Sequence, residues 1–195
     1  MVHASPASAK TILRLQMRDQ RRRLAVETPD AAEQAIAHLP AAVLSSPRIV
    51  GGYRRSGAEI DPWPLMEAFA KAGAALALPV AFDRDSPLEF RAYAEGDPLE
   101  PDAFNILAPT GDAALVEPDL VIAPLLAFDR FGHRMGQGAG HYDRTLEALR
   151  ARRPTFVLGL AYAGQQVAQV PAEAHDQRLD AILTEKAYIE ATKDL

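Results

Sequence analysis

The sequence predicts an α/β protein, a three-layer αβα sandwich around a mostly parallel central sheet. Three observations carry that reading. Leu120 to Ala123 and Thr155 to Ala161 are continuous apolar runs, the pattern of parallel strands covered on both faces. Segments with helical caps and apolar spacing stand between the strands, so strand and helix alternate along the chain. The chain has 195 residues, 48% of them hydrophobic, which is enough for one buried core and a single domain over 1–195.

Taken in order, residues 1–8 read as a flexible tail, with Ser8 placed to cap a helix running to about Ala25. Ile12, Leu13, Leu15 and Met17 supply its apolar positions, and Lys10, Arg14, Arg18, Arg21, Arg22 and Arg23 make its other face basic. Asp30 to Leu44 reads as a second helix, with Glu33 placed for a capping box and Pro40 bending or ending it early. Arg48 to Tyr53 is a short strand. A helix opens at Asp61-Pro62 and runs to about Ala72, where Gly73 stops it. Ala74 to Val80 is a buried strand ended at Pro79, and Leu88 to Tyr93 alternates as a half-exposed one. Residues 94–118, with four prolines, read as loop. After the Leu120–Ala123 strand come a glycine-rich turn over 132–140, a helix from about Tyr142 to Arg152, the Thr155–Ala161 strand and a last short strand at Ala181–Thr184.

Composition excludes several functions. There is no cysteine, so a disulfide scaffold, a thiolate zinc site and a cysteine nucleophile are all ruled out. A net charge of −5 argues against a general nucleic-acid or membrane-surface binder, although a local basic cluster still suits a small anion. No apolar run approaches the roughly 18 residues that cross a bilayer, and the N-terminus lacks the apolar stretch of a secretory signal. The expectation is a cytoplasmic protein with a small-molecule partner, monomeric, and with neither nucleic acid nor membrane as partner. His133, His141 and His175 are not at helical metal spacing, which excludes a zinc helix.

The most informative segment runs from Pro124 through Gly132-His133-Arg134-Met135-Gly136-Gln137-Gly138-Ala139-Gly140 into His141-Tyr142-Asp143-Arg144. It joins an apolar strand to a helix through four glycines in nine positions. Glycine backbone lets N–H groups approach a ligand, and the helix N-terminus adds partial positive charge, so the segment suits a phosphate. It has neither the Gly-Lys-Ser/Thr ending of a P-loop nor the placement of a dinucleotide fingerprint. Composition alone leaves phosphate cradle and plain tight connection as equal readings. Arg134 and Arg144 can pair with phosphate oxygens and Asp143 can hold Mg²⁺, against the bland reading of a surface salt bridge at a helix start.

This segment, from Ala127-Phe128-Asp129 to Arg144, resembles the signature of the 5-formyltetrahydrofolate cyclo-ligase family. Lys10-x-x-x-Arg14, Gly57-Ala-Glu59-Ile-Asp61, Ala77-Leu-Pro79, Gly96-Asp-Pro-Leu99 and His175-Asp176…Asp180 also fit, in order, over about residues 9 to 189. The resemblance implies an ATP- and Mg²⁺-dependent enzyme that closes the N5-formyl group of a reduced folate onto N10 and releases ADP and phosphate. A phosphorylated formyl oxygen would be the intermediate, and positioned charge, with no thiol, would do the chemistry.

Roles follow position by position from the resemblance. Lys10 and Arg14, on one helical face, and the loop Arg134, Met135, Gly136, Gln137, Gly138, Ala139, Gly140, His141 and Tyr142 would bind ATP, with Arg144 as a further phosphate contact. Asp143 and Arg144 would be catalytic. Asp143 and Asp176 would hold the metal, with Asp180 either the alternative ligand or a cap on the last strand. Glu59 would hold the pterin, and Tyr142 would either stack on a ring or face the core. Arg21 to Arg23 read as a solvated basic face, Trp63 as helix-entry packing, and Arg54-Arg55 either as the seat of an anionic tail or as a solvated turn.

Two positions depart from the common pattern, Gly-x-Gly-Gly-Gly-Tyr-Tyr-Asp-Arg. Ala139 replaces a glycine, tolerable at negative φ and strained at positive φ. His141 replaces an aromatic hydroxyl. Both leave open a divergent relative acting on another formylated molecule, or a non-catalytic folate or nucleotide binder.

Overall fold

The computed structural model describes residues 6–192. The chain forms α1 (Pro6–Glu27), α2 (Ala31–Ile36), α3 (Ala41–Leu44), β1 (Ile49–Gly51), α4 (Trp63–Lys71), β2 (Ala75–Val80), β3 (Glu89–Ala92), β4 (Leu99–Pro101) and β5 (Leu107–Pro109). There follow β6 (Leu120–Pro124), β7 (Ala127–Phe128), β8 (Arg134–Met135), α5 (His141–Arg152), β9 (Phe156–Leu160), a 3₁₀ turn (Ala163–Gln165), β10 (Ala181–Leu183) and β11 (Tyr188–Glu190).

Seven strands form one sheet in the order β11-β10-β9-β6-β1-β2-β3. The five central strands run parallel, and β3 and β11 close the two edges antiparallel. Period-two alternation sends successive side chains to opposite faces. Leu120, Ile122, Leu158 and Leu160 pack with α2 and α4 through Ala35, Leu65, Met66 and Phe69. Val121, Ala123, Val157 and Ile182 pack on the other face with Leu146 and Leu149 of α5. These are the three layers that the apolar runs predict.

Local departures have local causes. Helix α1 starts at Pro6, so residues 6–8 belong to its first turn and Ser8 is not its cap; the rest of the expected tail, residues 1–5, lies outside the described residues. Pro40, in extended backbone, splits the expected 30–44 helix into α2 and α3. The expected capping box is absent: Asp30 accepts from the Gln34 side chain at 2.8 Å and caps no backbone N–H. Asp61 accepts from the Trp63 N–H at 3.0 Å and so opens α4 from two residues upstream. Trp63 packs edge-on to Tyr93, ring centroids 5.8 Å apart, as helix-entry packing. Strand β2 continues through Pro79, which pairs with Phe90 at the antiparallel edge strand β3.

Three strand additions lie in stretches read as loop, turn or chain end. The hairpin β4–β5 sits in 94–118, the two-residue ribbon β7–β8 reaches into the glycine-rich turn, and β11 follows the expected last strand.

The strand order reverses between β1 and β6: from β1 the sheet grows one way to β2, and from β6 the other way to β9 and β10. A crevice opens beyond the carboxyl ends of strands at such a switch point. The β1 exit leads into Tyr53–Glu59 and the β6 exit into Leu125–Arg134, so both segments border it.

Candidate active site

A cavity of about 530 Å³ occupies that crevice. Its lining is assembled from α1, the β1–α4 loop, the glycine-rich loop, the start of α5 and the 171–176 segment. Lys10, Arg14, Glu59, Arg134 through Asp143, and Asp176 all face it. Residues more than 160 positions apart in the chain therefore meet; Lys10 and Asp176 are one such pair.

The loop is built on a buried carboxylate. Asp129, at the end of β7, is fully buried and accepts the N–H groups of Phe131, His133 and Val170 at 2.9, 3.1 and 2.9 Å. His133 Nδ1 lies 3.0 Å from Oδ2, the oxygen that also takes the Val170 N–H, which gives this histidine a structural partner. That turn delivers β8, whose Arg134 is 9% exposed. Arg134 Nη2 donates to Asp143 Oδ1 at 2.8 Å, and Nη1 donates to the Gln177 carbonyl. Gln177 N–H also donates to Asp143 Oδ1, at 2.9 Å. Since Gln177 follows Asp176, one segment brings the two expected metal carboxylates to the same wall.

Gly138 and Gly140 have φ of 108° and 73°, values that exclude most side chains, and Gly140 stands directly before α5. Ala139 is not in that region: among the described residues Asn105 is the non-glycine residue with positive φ. The alanine therefore fits without backbone strain. Helix α1 grips the loop from outside, Arg14 Nε donating to the Gly136 carbonyl at 3.3 Å and Arg18 Nε to Gln137 Oε1 at 3.0 Å.

Lys10 Nζ lies 3.1 Å from both Asp176 Oδ2 and Glu173 Oε2. Burial pushes the lysine down, but the two carboxylates outweigh it and hold the ammonium above its ordinary range. Burial likewise pushes Asp176 up, and the Glu173 N–H together with Lys10 outweighs it, leaving the carboxyl below its ordinary range. Glu173, His175 and Asp176 bring ligand atoms within 4.8 Å of one another, so a metal near Asp176 could also draw on them.

Glu59 sits deeper, 9% exposed, its Oε2 accepting the Ser56 N–H at 3.0 Å and its Oε1 facing Arg21 Nη1 at 3.3 Å. Burial pushes its carboxyl up, and Arg21 opposes this. Tyr142 both lines the cavity and packs against the core under α5, so the two readings of this aromatic coexist. Its phenol is held neutral by burial, with nearby Glu59 acting in the same direction.

Four expectations shift. Arg21 is not part of a solvated face: it is 6% exposed and lines the cavity, whereas Arg22 and Arg23 are exposed. Its spacing carried the signal, because eleven residues after Lys10 is close to three helical turns. Arg144 stands behind the loop and is not among the lining residues; Nη2 donates to the carbonyls of Ala139 and Arg84. Asp180 is also outside the lining: it accepts from Arg150 at 2.8 Å and from the Val157 N–H at 2.8 Å, tying α5 to the sheet. Arg54 faces the cavity, while Arg55 turns back to the Gly57 carbonyl at 3.3 Å. Phe104 and Ile106, on the β4–β5 hairpin read as loop, form an exposed apolar rim that no spacing in the sequence announces.

A cavity of this size at the switch point of a parallel sheet, lined by cations paired with carboxylates, defines an α/β enzyme that acts on a small charged molecule. The 5-formyltetrahydrofolate cyclo-ligase family profile matches residues 6–185, and the chain belongs to that family. A protein of Mycolicibacterium smegmatis named 5-formyltetrahydrofolate cyclo-ligase is 30% identical over 197 residues, covering 97% of this chain and all of the relative. The Escherichia coli protein of the same name is 36% identical over 131 residues, 65% of this chain and 71% of the relative. The solved structure of Aquifex aeolicus 5,10-methenyltetrahydrofolate synthetase superposes with a TM-score of 0.72 at 26% identity, covering 95% of this chain and 94% of the other. Among the described residues no helix is long and apolar enough to cross a membrane.

Proposed function

We propose that the protein converts 5-formyltetrahydrofolate to 5,10-methenyltetrahydrofolate, with ATP hydrolysed to ADP and phosphate. One observation carries the reading: apart from Arg144, the residues that the family resemblance assigns to nucleotide, metal and pterin line a single cavity. In the proposed sequence the formyl oxygen takes the γ-phosphoryl group and ADP leaves. N10 then bonds to the formyl carbon and gives up its proton, and phosphate departs with the C–O bonding electrons. Phosphorylation is required because an amide-like oxygen is a poor leaving group.

The protein's share is positioning and charge. Lys10, Arg14 and the backbone of the 136–140 loop would hold the phosphates, and the start of α5 would add its partial positive charge. Glu59 and Tyr142 would hold the pterin. Asp143 and Asp176 are hard oxygen donors on the wall that also faces the phosphate loop, a donor set that suits Mg²⁺, which binds through one or two carboxylates plus substrate phosphates. Bound there, Mg²⁺ would neutralise phosphate charge during transfer.

The test is absorbance of the methenyl product in a mixture of protein, ATP, Mg²⁺ and 5-formyltetrahydrofolate. Growth of that band dependent on all four components is expected. Tight formyl-folate binding with no ATP consumed over hours would replace the reading with that of a binding protein.

A further inference from the structure

Arg21 connects three parts of the cavity that the chain keeps apart. It projects from α1, and its Nη1 donates both to Glu59 Oε1 at 3.3 Å and to the Leu125 carbonyl at 3.2 Å. Glu59 belongs to the loop after β1 and Leu125 to the segment after β6, so one guanidinium bridges the two sides of the switch-point crevice. The Leu125 carbonyl is held a second time, by Gln165 Nε2 at 2.9 Å, which anchors the far end of the bridge. Both members of the ion pair are at least nine-tenths buried, and Arg21 Nε has no partner among the described residues.

A buried carboxylate facing a ligand needs a reason to stay charged and to keep one orientation. The groups facing Glu59 are Arg21 from α1, Tyr142 from α5, and Tyr53 and Arg55 from its own stretch of chain. Tyr53 donates its hydroxyl to the Ile60 carbonyl at 2.7 Å, and burial keeps both phenols neutral. Arg55 is exposed and turned to Gly57. Arg21 is thus the buried cation that opposes, in part, the desolvation of Glu59.

We propose that Arg21 is a positioning residue for Glu59, fixing the charge and direction of that carboxylate so that it can accept paired N–H donors from the edge of a bound heterocycle. This rests on the reading of Glu59 as the pterin ligand. It separates Arg21 from Lys10 and Arg14: they share its helix, but the role proposed for them is phosphate binding.

The experiment starts in ligand-free protein, by carbon-13 NMR titration of the Glu59 carboxyl, assigned through its loss in Glu59→Gln. In Arg21→Gln the midpoint should rise by about one pH unit or more, a tenfold gain in proton affinity, while Arg21→Lys should stay within about half a unit of wild type. An unmoved midpoint in Arg21→Gln overturns the proposal. Should Arg21→Gln fail to fold, wild type alone decides: the Arg21 side-chain nitrogen resonances should inflect at the Glu59 midpoint, and their failure to do so overturns it. With substrates, Arg21→Gln should raise the KM for formyl-folate about tenfold and leave the KM for ATP within about twofold. The reverse pattern overturns the proposal and places Arg21 with the phosphates. Because the titrations need no substrate, absence of methenyl product from wild type would count against the proposed reaction and not against the Arg21–Glu59 coupling.

Discussion

Arg144 Nη2 donates to the carbonyl of Ala139 at 2.8 Å, closing the last turn of the glycine-rich loop onto the helix it leads into. The same nitrogen reaches the Arg84 carbonyl at 2.6 Å, and neighbouring His141 Nε2 lies 2.9 Å from the Asp83 carbonyl. The first turn of α5 therefore braces the loop and the 83–84 segment together. A guanidinium committed to two carbonyls shapes the glycine-rich loop from behind.

Arg144→Ala should lower kcat/KM by about a hundredfold, the cost of a misplacement of about 1 Å in a positioned site. Arg144→Lys separates brace from phosphate contact. An ammonium keeps the charge but lacks the planar fork, so a brace predicts little rescue and a simple charge contact predicts substantial rescue. Steady-state kinetics with a thermal melt of each variant decides between them.

Ala139→Gly and Gly140→Ala should behave in opposite ways. Ala139 is outside the positive-φ region, so glycine there costs at most about 1 kcal/mol, with turnover within about twofold of wild type. Gly140 has φ of 73°, and an added Cβ would stand 2.8 Å from Arg144 Nη1. Its replacement should cost about 1–2 kcal/mol and weaken ATP use together with the Arg144 brace. Chemical denaturation and ATP-dependence of the rate measure both.

Asp143→Asn keeps an acceptor for Arg134 and the Gln177 N–H, the two groups that Asp143 Oδ1 serves. The variant should melt close to wild type while its half-saturating Mg²⁺ rises about tenfold or more, because a charged oxygen is lost from the proposed metal wall. A Mg²⁺ titration of the rate is the check; an unchanged midpoint removes Asp143 from the metal site.

Asp176 is held below its ordinary range, although burial, the largest influence on it, acts the other way; hydrogen bonds from the Glu173 N–H and Lys10 outweigh it. A depressed folded pKa means that the native state binds fewer protons than the unfolded one, so the stabilisation is present above the unfolded pKa and is lost as pH falls through the folded one. The difference in melting temperature between wild type and Asp176→Asn should therefore be constant at neutral pH and shrink below about pH 4. Lys10 has the opposite sign: raised above its ordinary value, it stabilises below that value and loses its contribution as pH rises through the folded one. A pH series of melts tests both.

The central strands were legible because their signal is local. Leu120–Pro124 and Phe156–Leu160 are apolar on both faces wherever they sit, and Pro40 cuts its helix whatever surrounds it. The hairpins β4–β5 and β7–β8 were not, since their strands are two or three residues long, two of the four positions at the ends of β4 and β5 are leucine and two proline, and pairing partners alone make such segments strands. Within the site, the glycine-rich loop could be read from its spacing and Lys10-x-x-x-Arg14 from the family resemblance, whereas the placement of Arg144 behind the loop depends on where residues 83–84 pass.

By itself the sequence determined the layered α/β class, the glycine-rich strand-to-helix loop and the family, because periodicity, glycine spacing and ordered motifs are properties of the chain alone. Tertiary structure decided which charges face the cavity and which support it. Arg21 and Arg22 are adjacent arginines on one helix, yet one is buried against Glu59 and the other is in water with Asp19. A helix turns about 100° per residue, so neighbours in the chain point into different surroundings, and only the packed loops on one side make a charge functional.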